Sequence, residues 1–234
     1  MMRLLVLRHH REDEPGLLGV AFESAGFDVE VHDGAGMAAP PDPEGADAVV
    51  VLGSVWSVYD RGSVGDWIDA ELEWLRLLDR RGVAVLGVCF GAQALAAAHG
   101  GSVVPAHRKE VGWVDLDEGP LALPGRGPWF EWHADRCIPP PGAVVLASNE
   151  VAVQAFWVNQ HLGVQFHPEL DRAQLARWMD HGGRSQLVAD GVDPDELMEL
   201  TACQEDAAAR RAEGLVEGFL AGLGSQGRPE RASS

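Results

Sequence analysis

Two short strings hold the residue types that acyl chemistry needs. The first is Val85-Leu86-Gly87-Val88-Cys89-Phe90-Gly91-Ala92-Gln93-Ala94-Leu95, an apolar strand-like run passing directly into a helical one with Cys89 at the join. A thiol there is the counterpart of the serine in a G-x-S-x-G elbow, where flanking glycines allow a tight strand-to-helix turn to push the nucleophile out. The helix end contributes a partial positive charge that lowers a thiol pKa, and unpaired N–H groups such as that of Phe90 can hold a developing oxyanion. A lone Cys in an apolar run is equally what a small buried hydrophobe looks like. Taken alone, G-x-C-x-G leaves both readings open.

A thiolate also needs a base, and the base needs a group to orient it. The second string, Leu162-Gly163-Val164-Gln165-Phe166-His167-Pro168-Glu169, offers both at the end of a predicted strand. Pro168 biases His167 to an extended conformation, and residues two apart on an extended chain point the same way, so Glu169 can accept from the His167 imidazole. An isolated His-Pro-Glu would read as a capped strand end with a surface histidine. Each string supplies what the other lacks, and together they favour a Cys-His-Glu triad.

These two strings resemble the hallmarks of the class I (triad type) glutamine amidotransferases, a G-x-C-x-G-x-Q elbow and a distal H-P-E. The likeness extends to Gly53-Ser54-Val55-Trp56-Ser57-Val58-Tyr59-Asp60, similar to the family's glycine-rich oxyanion loop, and covers roughly residues 3–179. The finer texture, in Ser57-Val58-Tyr59-Asp60, Glu110-Val111-Gly112-Trp113 and Trp132-His133-Ala134-Asp135, is similar to the glutaminase portion of GMP synthetase. The resemblance implies Cys89 as nucleophile, His167 as general base and acid, and Glu169 as the group fixing the His tautomer. It implies an oxyanion hole from backbone N–H groups near Gly53 or Ser54 and at Phe90. It places Gln93 on the substrate glutamine and the segment Trp132 to Asp135 along the pocket. The chain departs from the family where a Gly-Gly-Pro loop is replaced by Gly53-Ser54-Val55.

The implied reaction releases glutamate and ammonia from L-glutamine through a γ-glutamyl thioester, with no metal or organic cofactor, and passes ammonia to a separate synthetase subunit. About 55 residues follow Met179 and no G-x-x-x-x-G-K string occurs, so no ATP-using domain is expected within the chain. Two alternatives are a γ-glutamyl amide or peptide hydrolase of the same fold, and a binding or regulatory protein with a latent pocket.

Other polar features carry weaker signals. Arg8-His9-His10-Arg11 follows the first strand at the edge where open α/β folds place ligands, and reads as a solvated loop or as cations for an acidic substrate. Arg108 and Lys109, the one lysine, are further candidates for that role. Trp56, Trp113 and Trp132 fall in the pocket segments, while Cys137 and Cys203 read as packing residues.

The elements that must position these groups follow from patterning. Residues 3–7, 46–52 and 83–88 are short apolar runs that predict buried strands, alternating with helical segments as in a parallel sheet with crossovers. Asp66 is expected to cap a helix to about Leu78, with Ile68, Leu72, Leu75 and Leu78 facing the sheet. Residues 112–116, 143–147, 151–157 and 162–167 predict antiparallel strands added to that sheet. Asp171 opens a helix bearing Leu175, Trp178 and Met179 and ending at Gly182-Gly183. Asp193-Pro194-Asp195-Glu196 opens another to about Leu220. The expected architecture is an α/β fold, a flavodoxin-like or Rossmann-like open sheet with flanking helices, an antiparallel extension and a nucleophile elbow. The expected division is a catalytic domain over 1–181, a helical extension over 182–220 and a flexible tail over 221–234.

Composition bounds the partners. The 234 residues hold 36 Asp and Glu against 18 Lys and Arg, a net charge of −18 with His neutral. A field of that sign repels phosphate backbones and anionic lipid. Three cysteines are too few for a disulfide framework, the N-terminal apolar run is too short for a secretory signal, and the chain reads as cytoplasmic. The pattern leaves the oligomeric state open.

Overall fold

The computed structural model describes residues 1–36, 39–118 and 123–225. The most apolar runs of the chain form the centre of one eight-stranded sheet. Strand β1 (Met2–Arg8) lies between β2 (Phe27–Asp33) and β3 (Ala48–Val51), and β3 pairs with β4 (Ala84–Val88), all in parallel. Residues Leu4 to Leu7, Val49 to Val51 and Val85 to Val88 are sealed from solvent, because helices cover both faces of a parallel sheet. Beyond β4 the sheet continues through β10 (His161–Val164), still parallel, and then antiparallel through β9 (Val153–Val158), β8 (Val144–Ser148) and the short β6 (Asp117–Glu118). This is the expected open, mainly parallel sheet with an antiparallel extension.

The structure corrects two expected strands and adds elements that the patterning did not predict. Residues 112–116 do not join the main sheet. Residues 112–114 end a long strand, β5 (Ser102–Val114), which among the described residues pairs with β7 (Trp129–Ile138) in a separate ribbon, and residues 115–116 lie outside any strand. Strand β7 was legible only as a pocket segment, since Glu131, His133, Asp135 and Arg136 break its apolar alternation. The run 162–167 is strand only to Val164. The chain then leaves β10, with Gln165 N donating to Gln154 O and His167 N to Phe130 O, both at 2.8 Å. Helix α1 (Gly16–Ser24) and the edge strand β2 were not predicted. The α1 segment is apolar nearly all round, so it shows little 3.6-residue contrast, although it buries Leu18, Ala21 and Phe22.

The helix expected from Asp66 is α2 (Arg61–Arg80). It starts earlier, at the cap Asp60, whose carboxylate accepts from Gly62 N, and its backbone departs from helical geometry at Gly65. Its stripe is as expected, with Ile68, Leu72, Leu75 and Leu78 buried. Helix α3 (Phe90–Ala98) follows β4 directly. Asp171 caps α4 (Arg172–Trp178), its Oδ1 accepting from Gln174 N at 2.6 Å. A π-helical turn (Met179–Gly183) and α5 (Arg184–Ala189) lead into α6 (Pro194–Ser225).

Helix α6 passes the expected stop at Leu220 and includes Ala221 to Ser225, which were expected to fray. Leu215, Val216 and Phe219 are buried with Leu18 and Phe22 of α1, and Leu220 and Leu223 pack on the same cluster, which keeps the last turns in place. Met179, Leu187 and Leu197 share a further cluster with Phe130, Leu170 and Leu175, so apolar packing continues across residue 181. The rest of the expected tail, residues 226–234, lies outside the described residues. Among the described residues, no helix is long and apolar enough to cross a membrane.

Candidate active site

Cys89 sits between β4 and α3 at φ 50° and ψ −106°, a conformation rare outside glycine that lifts its side chain out of the turn. The two glycines also provide clearance for the turn. A Cβ on Gly91 would stand 2.1 Å from Val51 O of β3, and one on Gly87 would stand 2.6 Å from Gly91 O. Both leave room for the helix start to drop onto the sheet. Cys89 N donates to Val164 O at 2.8 Å, fixing the elbow to β10. As the first helical residue Phe90 has no partner for its N–H within α3.

The same β10 edge delivers the histidine. His167 is buried, and its Nδ1 donates to Glu169 Oε1 at 2.7 Å. Burial alone would push the imidazole pKa down. The charges of Glu169 and Cys89, with hydrogen bonds to both, outweigh it and hold the pKa well above its usual value. The expected Cys89, His167 and Glu169 are therefore brought together, although β10 has ended before His167. The Trp178 ring stands edge-on to His167 at 5.0 Å. Its Nε1 donates to Asp13 Oδ1 at 2.8 Å, and burial holds Asp13 above the usual carboxylate range.

Gly53 and Ser54 close over this pair. A Cβ on Gly53 would lie 3.1 Å from His167 Cε1 and 3.6 Å from Cys89 Cβ, so any larger residue would press on the His167 ring. The Gly53 carbonyl accepts from His9 Nδ1 at 3.0 Å, and His9 Nε2 meets both Glu71 oxygens at 3.0 and 3.2 Å. This corrects the reading of residues 8–11 as a solvated loop. His9 is 4% exposed. His10 does reach solvent and lines the cavity, and Arg8 is occupied by Glu14 and Asp33. Burial works against the His9 proton, but the Glu71 charge and its hydrogen bond outweigh it and raise the pKa.

The pocket wall comes from α3 and β7. Gln93 is buried, its amide nitrogen 3.1 Å from Gln165 Oε1 and 3.4 Å from Asp135 O. Trp132 packs edge-on against Trp178 at 6.0 Å. Asp135 accepts from Ser57 Oγ and, at 2.8 Å, from the Tyr59 hydroxyl, which ties the 57–60 loop to β7. All the predicted site residues, including Phe90, line one cavity of about 510 Å³ along with Trp56, His133 and Lys109. Lys109 is paired with Asp190 at 2.8 Å, and Arg108 lies apart on Glu150. Trp113 is not a pocket residue. It donates to Thr201 Oγ1 under α6, beside Arg211. Cys137 is a packing residue as expected, its thiol pushed up to about 12 by burial, whereas Cys203 is exposed.

Behind Cys89 lies a buried network that spacing did not reveal. His133 Nε2 stands 3.1 Å from Glu110 Oε2 and 3.3 Å from Glu131 Oε2, and its Nδ1 donates to Asp135 O at 2.9 Å. Burial would lower the His133 pKa, but the two carboxylates raise it to about 10. Glu131 is raised to about 6 by burial. The trio has the composition of a metal site, as do Asp79, His99 and His161. Glu110 is already engaged by Asn149 at 2.7 Å and by Gln154 and His133, so protons satisfy its oxygens. In the other group His161 Nδ1 accepts from Val85 N. The ring's hydrogen is therefore on Nε2, facing Asp79 at 3.0 Å, and no lone pair is left there for an ion.

A cysteine on a strand-to-helix elbow, facing a buried His-carboxylate pair in an open α/β sheet, sets a thiol beside an acid-base pair. The model of the family "Glutamine amidotransferase class-I" matches residues 20–177, and the chain belongs to that family of enzymes. The chain is 41% identical over 136 residues to a glutamine-hydrolysing GMP synthase of Thermomicrobium roseum, covering 54% of this chain and 24% of that one. It is 32% identical over 144 residues to one subunit of the glutamine-hydrolysing GMP synthase of Ignicoccus hospitalis, covering 58% of this chain and 73% of that one. The match thus spans about a quarter of the longer relatives. In fold, the chain superposes on a glutamine amidotransferase of Thermotoga maritima with TM-score 0.84, at 23% identity, over 94% of this chain and 98% of the other. One from Methylobacillus flagellatus gives 0.83, also at 23% identity, over 100% and 99%.

Proposed function

We propose that the protein hydrolyses the side-chain amide of L-glutamine through a γ-glutamyl thioester on Cys89. The observation that carries this reading is the approach of Cys89, His167 and Glu169 beneath Gly53, in one cavity whose remaining walls are those a small amino acid needs. The Cys89 thiolate attacks the amide carbon. The carbonyl oxygen becomes an oxyanion held by the N–H groups of Phe90 and of the Gly53–Ser54 loop. As the C–N bond breaks, His167 gives its proton to the departing ammonia. Water, deprotonated by the now neutral His167, then attacks the thioester, and glutamate leaves with Cys89 regenerated. Glu169 holds the His167 ring with Nε2 toward sulfur throughout. The Asp135 carboxylate, fixed by Ser57 and Tyr59, suits the α-ammonium of the substrate, and Trp132 and Gln93 complete the wall.

The Ignicoccus hospitalis relative is one subunit of a GMP synthase, and likeness to it supports a separate synthetase subunit that accepts the ammonia. A second reading, hydrolysis of γ-glutamyl amides of amines, draws on the cavity itself. At about 510 Å³ it exceeds what glutamine fills, and Glu12, Asp13 and Glu14 line it. Glutamate and ammonia release, measured with glutamine and with γ-glutamyl amines, separates the two. Faster turnover of glutamine supports the first, and a γ-glutamyl amine turned over far faster supports the second. Turnover of glutamine at equal rates by the native protein and Cys89→Ala removes the thioester from both.

A further inference from the structure

We infer that His9, braced by Glu71, sets the direction of the Gly53–Ser54 peptide and so aims the Ser54 N–H at the substrate oxyanion. This rests on the thioester reading of the site.

A backbone carbonyl only accepts, so the 3.0 Å contact between Gly53 O and His9 Nδ1 requires a proton on Nδ1. The contacts of Nε2 with the Glu71 oxygens, at 3.0 and 3.2 Å, require a second proton between ring and carboxylate. His9 and Glu71 are 4% and 2% exposed, so neither exchanges its partner for water. The result is a doubly tethered imidazole whose donor on the Gly53 side is fixed in place.

Peptide geometry carries that constraint to the site. The Gly53–Ser54 bond is trans, so its C=O and N–H point to opposite sides of the chain. His9 lies beneath the loop among the rings of Trp67 and Phe90 and does not line the cavity, whereas Gly53 and Ser54 do. With the carbonyl turned down to His9, the Ser54 N–H faces the cavity where Cys89 and His167 meet. Hydrogen bonding to the carbonyl also polarises the amide and makes that N–H a better donor.

The same ring reaches the other half of the hole. His9 stands edge-on to the Phe90 ring at 4.7 Å, and Phe90 supplies the second donor from the first position of α3. One buried side chain thus touches both residues whose N–H groups would share the negative charge. A glycine-led loop can otherwise turn its peptide over at little steric cost. Here the loop reads Gly53-Ser54-Val55 and lacks a proline to stiffen it, so the brace comes from His9, just past the end of β1, and from α2 instead.

Three variants of the full chain test this, with steady-state glutamine hydrolysis and the rate of Cys89 alkylation by iodoacetamide as paired readouts. Alkylation needs the thiolate but no oxyanion hole. His9→Ala is expected to lower kcat about 10- to 100-fold, less than the roughly 10²–10³ lost with a whole oxyanion donor. KM and the alkylation rate should stay within about twofold, because neither depends on the transition-state charge. His9→Asn, whose amide nitrogen can occupy the place of Nδ1, should recover most of kcat. Glu71→Gln should fall between native and His9→Ala. Native kcat in His9→Ala overturns the inference, as does loss of alkylation in step with kcat, which would mark a damaged elbow. His9→Asn no better than His9→Ala also overturns it. A native protein that is alkylated at Cys89 yet never turns over glutamine overturns the glutaminase reading instead, and this inference with it.

Discussion

His167 shows how the site sets protonation by neighbours rather than by exposure. Buried on all sides, its ring would stay neutral, but Glu169 on one nitrogen and the Cys89 sulfur on the other keep the proton bound above the usual imidazole range. Glu169→Gln removes that support, so the His167 pKa should drop and kcat/KM should fall by about 10²-fold or more, the range of general acid-base assistance. A pH profile of the variant unchanged from native would show that Glu169 has no such role. His133 offers a stability test of the same kind. Its folded pKa of about 10 lies above the unfolded value of 6.5, so its contribution is complete below about pH 6.5 and is lost as pH rises through 10. Glu131, raised by burial from 4.5 to about 6, favours its protonated form in the fold, and that contribution is complete below about pH 4.5 and already lost once pH has risen through 6. Melting temperature should therefore fall between pH 7 and 10, and His133→Gln should flatten that slope.

At the scale of elements, legibility followed locality. The elbow and the His-Pro-Glu end were visible because each is a contiguous string whose chemistry depends on neighbours in sequence. His9 and Glu71 lie 62 residues apart, and His133 and Glu110 lie 23 apart, so no spacing rule could join them. The caps Asp171 and Asp193 were legible for the same local reason, and Asp171→Ala should cost about 1 kcal/mol of stability by denaturant titration. Helix α1 and strand β7 were missed because one is apolar all round and the other carries charges that are buried only through tertiary pairing. The glycines of the elbow were read as allowing the tight strand-to-helix turn, and the structure adds the clearance that each provides. Gly91→Ala should therefore destabilise by about 1–3 kcal/mol or more, since Val51 O is backbone and yields little. Stability within experimental error of native would show that β3 and α3 can part.

Across the whole molecule, a net charge of −18 repels anionic polymers but bears little on the chemistry proposed for the one lined cavity. The C-terminal helix has a structural task that its sequence only half revealed. Phe219 is fully buried against Phe22 and Trp157, so Phe219→Ala should cost about 3–5 kcal/mol while leaving the residues around Cys89 untouched. Unchanged stability would mean that α6 is not seated on α1. Acid quenching followed by mass spectrometry during glutamine turnover examines the thioester at Cys89 itself. A γ-glutamyl adduct is expected on the peptide carrying Cys89, absent from Cys89→Ala, with ammonia release lost in that variant. Ammonia and glutamate formed by Cys89→Ala at the native rate, with no adduct in either protein, would contradict it.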